Sequence, residues 1–257
     1  MNAGEVSGLV GVLFDIDDTV TLHGRIVPEA FAAMARAKAA GLTMIPVTGR
    51  PAGWVDHIAR MWPVDGVVGE NGGLWFYMKD GALQRRFLQS NAERTGNRKR
   101  LRAVRDAVLS EVPGAGIASD QPYRELDLAI DFCEDVPALD DDAIDAITGI
   151  FARFGATSKV SSIHVNGWFG AFDKLTGFER LAADLGVPAD ATRWAYIGDS
   201  ANDAPMFAHF PLSVGVANVD AFLSRIPTWP AWRTEGAGGV GFAQLIDRLL
   251  TLKVDDA

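Results

Sequence analysis

The sequence has few of the features that would tie a protein to an oxidising compartment or a membrane. Cys133 is the single cysteine among 257 residues, so no intrachain disulfide can form, which fits a reducing compartment. No run approaches the ~20 apolar residues that a membrane helix needs. The first residues lack the basic region and apolar segment of a signal peptide. We therefore expect a cytoplasmic protein with no membrane partner.

Positive charge is also scarce. The chain carries 24 Lys and Arg residues against 33 Asp and Glu, a net charge of −9. This balance argues against nucleic acid as a partner, because a phosphate backbone needs a basic face. It does not exclude a small phosphate ester, because local cations and a metal ion can override the overall field. Hydrophobic residues make up 48%, as is ordinary for a globular protein.

The most informative feature is a group of acids that directly follows an apolar run. Residues 9–14 read as a buried strand, and residues 15–19 (Asp-Ile-Asp-Asp-Thr) come next. Carboxylates at such a position repel one another and lose water, so a divalent cation is the usual compensation. Asp15 and Asp17 are two residues apart and lean to the same side of an extended chain. One can attack a substrate while the other moves a proton.

Further polar groups are placed where they can join Asp15. Residues 48–50 (Thr-Gly-Arg) and 198–203 (Gly-Asp-Ser-Ala-Asn-Asp) each follow a strand-like run, and Lys174 opens a helical pattern between them. In an open parallel sheet, all strands end at one edge, and ligands bind there. We therefore expect a hydroxyl, further carboxylates and an ammonium group to converge on Asp15.

The order of the predicted elements indicates an α/β protein with one interruption. Strands and helices alternate up to Gly69, which predicts βαβ units and a parallel sheet. The pattern is antiparallel between a hairpin near Asp80 and residue 172, and the alternation then resumes. We predict a Rossmann-like parallel-sheet core formed by residues 1–85 and 171–257, with an inserted α+β cap at residues 86–170.

Two patterns support the predicted cap. Residues 126–132 alternate apolar with polar side chains, which predicts a strand with one face in solvent. The Asn166-Gly167 pair lies between two strand-like runs, residues 159–165 and 168–172, and predicts a hairpin turn. Both features are typical of an antiparallel block.

These motifs resemble those of haloacid-dehalogenase-like (HAD) phosphohydrolases. Residues 15–19, Thr48, Lys174 and residues 198–203 look like the four ordered motifs of that family. The last motif and Glu-Asn-Gly at 70–72 resemble the Cof-type, sucrose-phosphatase-like branch, which carries a large α/β cap. A departure is the Asp at position 18, where many relatives have Gly. The resemblance implies Mg²⁺-dependent hydrolysis of a phosphomonoester.

The resemblance also implies roles for the motif residues. Asp15 would attack phosphorus and form an aspartyl-phosphate. Asp17 would protonate the leaving oxygen and then activate water, and its main-chain carbonyl would face the metal. Thr48 would donate a hydrogen bond to a phosphoryl oxygen, and Lys174 would balance negative charge. Asp199 would be the second carboxylate ligand of Mg²⁺.

Other residues are expected to support this site. Asn202 and Asp203 would complete or brace the metal shell, with Asp203 orienting Lys174. Asn71 would lie near the phosphate, although Asn-Gly is also a common turn. Arg50 would either orient the substrate or pair with a nearby acid.

The cap is expected to select the leaving group and to exclude water when it closes. Its candidate substrate-binding residues, chosen by location and analogy, are Arg124, Glu125, His164 and Asn166. The expected substrate is a small phosphorylated metabolite, namely a sugar or polyol phosphate.

Three alternative functions are compatible with parts of the pattern. A phosphomutase uses the same aspartyl-phosphate but returns the phosphoryl group to its substrate. A phospho-acceptor signalling domain also combines acids, Thr and Lys, but the acid at Asp17 and the long insertion argue against it. A non-catalytic phospho-ligand-binding protein needs no acid–base partner, so the presence of both Asp15 and Asp17 argues against it.

Overall fold

The computed structural model describes residues 1–254, without the side chains of residues 223, 225 and 254. The helices are α1 (Ala3–Val6), α2 (Pro28–Ala39), α3 (Ala52–Met61), α4 (Asn91–Glu111), α5 (Asp141–Arg153), α6 (Lys174–Leu185), α7 (Ala204–His209) and α8 (Gly238–Val254). Short 3₁₀ segments cover Glu70–Gly72, Gln121–Tyr123, Ala191–Arg193, Ala201–Asp203 and Ala217–Arg225. Among these helices, none combines the length and apolar character that a bilayer crossing requires.

The strands fall into one parallel and several antiparallel sheets. They are β1 (Gly11–Phe14), β2 (Thr21–Leu22), β3 (Arg25–Ile26), β4 (Thr43–Pro46), β5 (Val67–Gly69), β6 (Leu74–Lys79), β7 (Ala82–Phe87), β8 (Gly116–Ile117), β9 (Asp127–Asp131), β10 (Thr157–Val160), β11 (His164–Trp168), β12 (Trp194–Gly198), β13 (Leu212–Gly215) and β14 (Trp232–Arg233). This mixture confirms the predicted α/β class.

A five-stranded parallel sheet forms the centre of the molecule. Its strand order is β14-β13-β12-β1-β4. Phe14 at the end of β1 lies opposite Ile197 of β12 and Pro46 of β4. Three strands therefore end at one edge of the sheet, side by side.

The side chains of β1 alternate between two hydrophobic cores. Val12 and Phe14 pack with α2 and α8, whereas Leu13 packs with α6 and α7. Both faces of the strand are covered, which explains its unbroken apolar sequence. The same alternation would place the next residue of odd number, Asp15, on the side of α6.

The third predicted strand is shorter than expected and is paired differently. It begins at Val67, and β5 pairs antiparallel with β6. It touches the parallel sheet through an isolated bridge between Val47 and Val68. The hairpin predicted near Asp80 is present: β6 and β7 pair antiparallel, and Asp80 and Gly81 form the turn with φ of 51° and 75°.

The inserted segment has its own sheet and core. The antiparallel sheet has the order β10-β11-β9-β8, and α4 and α5 cover one of its faces. The buried side chains between helices and sheet include Val104, Ile130, Phe151 and Val165. The inserted segment is therefore of the α+β type, and its role as a cap, with limits at residues 86 and 170, stays a prediction.

The prediction that one side of β9 faces solvent is wrong. Asp127 and Asp131 on that side are 3% and 1% exposed. This face lies against the core, where the backbone of Asp127 donates to Glu70. The buried carboxylates are compensated locally: that of Asp127 meets Arg124, and that of Asp131 accepts hydrogen bonds from the amides of residues 133–135. The polar side chains that alternate along β9 therefore lie in the interface between the inserted segment and the core.

The hairpin turn predicted at Asn166-Gly167 is also wrong. Both residues lie inside β11, and the turn that joins β10 to β11 covers residues 161–163. A side chain at Gly167 would come 2.1 Å from the ring of Phe151. The glycine is therefore explained by the packing of α5 against the sheet, and no reversal of the chain is needed.

Candidate active site

Asp15, Thr48 and Asp199 lie at the adjacent carboxyl ends of β1, β4 and β12. The amide of Asp15 still donates to the carbonyl of Ile197 at 3.0 Å, so the sheet fixes the start of this loop. The amide of Thr48 donates to Val68 at 2.9 Å. The parallel sheet thus brings together residues from three distant parts of the sequence.

Lys174 is the first residue of α6 and points into the same group. The 3₁₀ segment Glu70–Gly72 packs against the start of this helix. A Cβ atom at Gly72 would lie 1.8 Å from the carbonyl oxygen of Asp173. Gly72 also has a φ of 104°, which glycine adopts without strain. The glycine therefore allows the Glu70–Gly72 segment to pack against the end of α6 that carries Lys174.

The ammonium group of Lys174 is surrounded by oxygen atoms. Its Nζ lies 2.6 Å from Oδ1 of Asp203, 3.0 Å from Oδ1 of Asp15 and 3.3 Å from Oδ1 of Asn202. Burial alone would lower the pKa of Lys174, but the two carboxylates outweigh it and hold the pKa above its ordinary value. Lys174 is therefore a fixed positive charge beside Asp15.

Three carboxylates meet beside this lysine. Oxygen atoms of Asp15, Asp199 and Asp203 lie within 4.8 Å of one another, and all three residues are buried. Burial raises the pKa of Asp15 to about 7 against the opposing effect of Lys174. Burial and the two other carboxylates raise the pKa of Asp199 well above its ordinary value. Such a cluster favours the uptake of a cation.

Asp203 is already saturated by protein donors. Its Oδ1 accepts from Lys174 and, at 2.5 Å, from the hydroxyl of Tyr196. Its Oδ2 accepts from the amides of Asp199 and Ser200 at 2.9 and 3.1 Å. Asp203 therefore braces the loop and the lysine.

One of the two carboxylate oxygens of Asp199 is available to a ligand. Its Oδ1 accepts from Thr19 at 3.2 Å, whereas Oδ2 is buried and has no hydrogen-bond partner among residues 1–254. A buried carboxylate oxygen without a partner is costly unless a ligand meets it. Asp199 and Asp15 are thus the carboxylates of this cluster that fit a hard divalent cation.

Asp17 is turned toward Arg50. Both carboxylate oxygens of Asp17 accept from Nε of Arg50 at 3.0 Å, and Oδ1 lies 2.8 Å from its Nη2. Arg50 is buried, stacks over Trp54 at 4.4 Å, and also contacts Asp120 and Glu134 of the inserted segment. Burial lowers the pKa of Arg50, but these carboxylates more than offset it and keep the guanidinium charged. Arg50 therefore pairs with acids from both parts of the chain.

Glu134 is a member of this network that the sequence analysis missed. Its Oε1 lies 2.9 Å from Nη2 of Arg50, and its Oε2 lies 2.8 Å from Nε2 of His164. Hydrogen bonds from His164 and Arg50 lower the pKa of Glu134 to about 2, although burial opposes them. No motif marks this residue in the sequence, because the network depends on the folding of the cap over the core.

We expect Glu134 to make the stability of the protein depend on pH. Its folded pKa is depressed, so its contacts stabilise the fold fully above its ordinary value of 4.5 and are lost as pH falls toward about 2. The difference in unfolding free energy between wild type and Glu134→Gln should therefore shrink on acidification, measured by urea unfolding. Glu179→Gln controls for loss of an exposed carboxylate. A difference that grows as the pH falls would contradict the contacts described here.

Glu70 is a second acid that the sequence analysis gave no role. It is fully buried, and its carboxylate accepts hydrogen bonds from the amides of Ala52 and residues 125–127 at 2.6 to 3.2 Å. Burial, with a smaller contribution from Asp127, raises the pKa of Glu70 to about 8. One side chain of the core thus holds the backbone where the β9 strand begins.

Two of the predicted substrate-binding residues lie in the contact between the core and the inserted segment. Arg124 is buried, pairs with Asp120 and Asp127 at 2.9 and 3.0 Å, and donates to the carbonyl of Gly49 at 2.8 Å. Asn166 donates to Asp127 at 3.0 Å. Arg124 thus has its charge compensated by the protein itself.

The other candidates differ in their surroundings. His164 is buried beside Glu134, as described above. The carboxylate of Glu125 points to α4, where it contacts Arg94 and Arg98 at 3.2 and 3.3 Å. Asn71 is buried near Gly49, and its Nδ2 has no hydrogen-bond partner in the described part of the chain.

Asp18, which stands where many members of the resembled family have Gly, occupies a backbone conformation that suits glycine. Its φ is 52°, in the left-handed region that glycine adopts at no cost and that Asp tolerates. Its amide donates to Oγ1 of Thr21 at 2.9 Å, and its carbonyl accepts from Asn218 at 3.0 Å. The substitution preserves the turn and adds a carboxylate.

Part of this site matches the model of a known protein family. Residues 142–229, which include Lys174 and the acidic loop at 198–203, match the family model described as haloacid dehalogenase-like hydrolase. No curated protein matches the chain. The sequence match does not reach Asp15 or Thr48. The resemblance of the first two motifs is therefore supported by the fold and not by the family model.

Solved structures share the fold over nearly the whole chain. The Thermoplasma acidophilum protein 0175 is 20% identical, with a TM-score of 0.69 and coverage of 94% of this chain and 98% of that one. The sucrose-phosphatase of Synechocystis sp. PCC6803, solved with sucrose and phosphate, is 15% identical with a TM-score of 0.66 over 94% and 98%. The BT1666 protein of Bacteroides thetaiotaomicron, from a study of HAD-superfamily phosphatases, is 18% identical, with a TM-score of 0.64 over 96% and 97%.

These identities are low, so the likeness establishes the fold. Together with the matched family model, it confirms the predicted resemblance to haloacid dehalogenase-like hydrolases.

Proposed function

We propose that this chain, which has the fold of haloacid dehalogenase-like hydrolases, is a Mg²⁺-dependent phosphatase of a small sugar or polyol phosphate. The observation that carries the proposal is the buried contact between Asp15 and Lys174, with Asp199 close by at the same sheet edge. A nucleophilic carboxylate, a fixed cation and a spare carboxylate are the groups that phosphoryl transfer through an aspartyl-phosphate requires.

Asp15 is the proposed nucleophile. It attacks phosphorus, the bond to the leaving oxygen breaks, and water later releases phosphate from the aspartyl-phosphate. Attack requires the ionised carboxylate, which burial opposes and Lys174 favours. The position of Lys174 at 3.0 Å also places its charge beside the oxygens that gain negative charge in the transition state.

Asp17 is the proposed acid and base. It gives a proton to the leaving oxygen in the first step and takes one from water in the second. Oδ1 of Asp17 already accepts two hydrogen bonds from Arg50, whereas Oδ2 accepts one and keeps a lone pair for the transferred proton, so Arg50 orients Asp17 without blocking it. Arg50 is therefore proposed as a positioning residue.

Thr48 and Asn71 are proposed to bind phosphoryl oxygens. The hydroxyl oxygen of Thr48 accepts from the amide of Arg50 at 3.1 Å, which leaves its hydrogen available as a donor. The buried Nδ2 of Asn71 is a second donor that lacks a protein acceptor within residues 1–254. Donors aimed at the equatorial oxygens stabilise the transition state.

The carboxylates of Asp15 and Asp199, with the main-chain carbonyl of Asp17, are proposed to hold Mg²⁺. The unpartnered oxygen of Asp199 and the oxygen-only donor set fit this ion. When bound, Mg²⁺ supplies charge neutralisation for the phosphoryl group and for the acidic cluster.

Magnesium is expected to stabilise the protein and to be required for activity. A ligand at a hundred times its dissociation constant adds about 2.7 kcal/mol to the unfolding free energy. Mg²⁺ should therefore raise the melting temperature of the wild type, and EDTA should abolish phosphate release. In Asp199→Asn the thermal shift should be lost, because a charged ligand is gone. An equal shift in both proteins would locate the ion elsewhere.

The proposed function is tested by phosphate release with Mg²⁺ from phosphorylated sugars, polyols, nucleotides and an activated aryl phosphate. Release of free phosphate from at least one ester supports hydrolysis. Transfer of the phosphoryl group back to the substrate without release would indicate a mutase. No release from any ester, including the aryl phosphate, would overturn the proposal.

A further inference from the structure

A cavity of about 310 Å³ lies between the core and the inserted segment, on the side to which Asp17 is turned. Its volume is at the lower end of those that hold small ligands. Its lining from the core includes Asp17, Asp18, His23 and Arg50, and its lining from the inserted segment includes Glu134.

The charges that line the cavity are mostly negative. Asp17, Asp18 and Glu134 contribute three carboxylates, and Arg50 is the one Lys or Arg side chain among the residues that line it. The guanidinium of Arg50 is already in contact with Asp17, Glu134 and Asp120. One guanidinium is thus set against three carboxylates, so the net charge at this wall stays negative and a ligand anion meets an excess of negative charge.

Of the two carboxylates of this wall that meet Arg50, that of Glu134 is more exposed than that of Asp17. The side chain of Glu134 is 28% exposed, whereas that of Arg50 is 5% exposed. Both of its oxygens keep acceptor capacity beyond the contacts with Arg50 and His164. A hydroxyl group can donate to this carboxylate, but a second anion would face it across a short distance. Like charges opposed in this way weaken binding, by about tenfold or more.

We propose that this cavity receives the leaving group of the phosphate ester, and that Glu134 selects uncharged polyols against leaving groups that carry a second anion. The inference rests on the proposed function, since it concerns the same site. Glu134, which belongs to no sequence motif, would then be the residue that discriminates between substrates. Phosphate esters of hydroxy acids, and other phosphates that carry a second anionic group beside the phosphoryl group, are the class that the cavity rejects.

Matched ligands that differ only at one terminal carbon test this selection. Glycerol 3-phosphate and 3-phosphoglycerate differ by the exchange of an alcohol for a carboxylate, as do sorbitol 6-phosphate and 6-phosphogluconate. Their dissociation constants are measured by calorimetry on Asp15→Asn, which does not consume the ligand, at a Mg²⁺ concentration high enough to offset the loss of one carboxylate ligand. We expect the alcohol of at least one pair to bind about tenfold or more tightly than its acid.

The same titrations on Asp15→Asn with Glu134→Gln identify the residue responsible. The preference for the alcohol should fall at least several-fold, while Asp15→Asn with Glu111→Gln, which removes an exposed carboxylate from α4, should keep it. Equal or tighter binding of both acids, no binding by any of the four ligands, or an unchanged preference in the Glu134 variant would overturn the inference. Wild-type hydrolysis of an aryl phosphate is measured in parallel, so that failure of the phosphatase proposal is seen separately.

Discussion

Asp15→Asn is expected to reduce phosphate release by on the order of 10⁴-fold or more, because the amide cannot form the aspartyl-phosphate. The change is nearly isosteric and removes one of three mutually repelling carboxylates. Relief of that repulsion should offset the lost contact with Lys174, so the unfolding free energy should stay close to that of the wild type. Turnover of an aryl phosphate and urea unfolding measure the two effects.

A matched variant separates catalysis from a general loss of charge. Asp247→Asn removes an exposed carboxylate on α8 that pairs with Arg36, and it should leave turnover unchanged. If Asp15→Asn kept a tenth or more of the wild-type rate while folded, another group would have to be the nucleophile.

Lys174→Met is expected to abolish turnover and also to destabilise the protein. Lys174 is buried between Asp15 and Asp203, and its removal leaves two buried carboxylates without their cation. Breaking a buried ion pair in this way costs about 3–5 kcal/mol. The unfolding free energy in urea, without Mg²⁺, should fall by that amount.

Lys38→Met provides the comparison for a partly exposed ion pair near the surface. Lys38 contacts Asp65 near the surface, with 34% of its side chain exposed, and such pairs contribute about 0–1 kcal/mol. The loss in Lys174→Met should therefore exceed that in Lys38→Met several-fold. Equal losses would mean that Lys174 is not the compensating charge of the acidic cluster.

The parallel core could be predicted from the sequence because its signals are local. The apolar run before Asp15 reads as a strand, and the residues that follow neighbouring strands must meet at one sheet edge. The structure places Asp15, Thr48 and Asp199 at that edge, with Lys174 among them. Each of these side chains lies, in the sequence, directly beside or at the start of the strand or helix that positions it.

The errors in the inserted segment have a common physical origin. Polar alternation in β9 predicts solvent exposure, but the face that carries Asp127 is buried against the core. Asn166-Gly167 predicts a turn, but Gly167 makes room for Phe151 of α5. In both cases a contact between distant elements overrides a local preference, and such contacts leave no periodic signal in the chain.

The acids that join the two parts of the molecule were missed for the same reason. Glu70 binds the backbone of residues 125–127, and Glu134 meets Arg50 from 84 positions away along the chain. Glu134 belongs to no motif, and an isolated Glu in a sequence is normally a solvated surface residue. Glu70 lies in the Glu-Asn-Gly motif, but the motif does not indicate its contacts. Burial and partners identify the roles of both acids only when the inserted segment is folded against the core.

The most direct test of the account is the exchange of labelled oxygen between inorganic phosphate and water. If Asp15 forms an aspartyl-phosphate that water cleaves, the reverse of that step must also occur, and no knowledge of the natural substrate is needed. With Mg²⁺, the wild type should transfer label from phosphate to water, and Asp15→Asn should not. Exchange that persists in Asp15→Asn, or wild-type exchange no faster than in the buffer, would contradict the account.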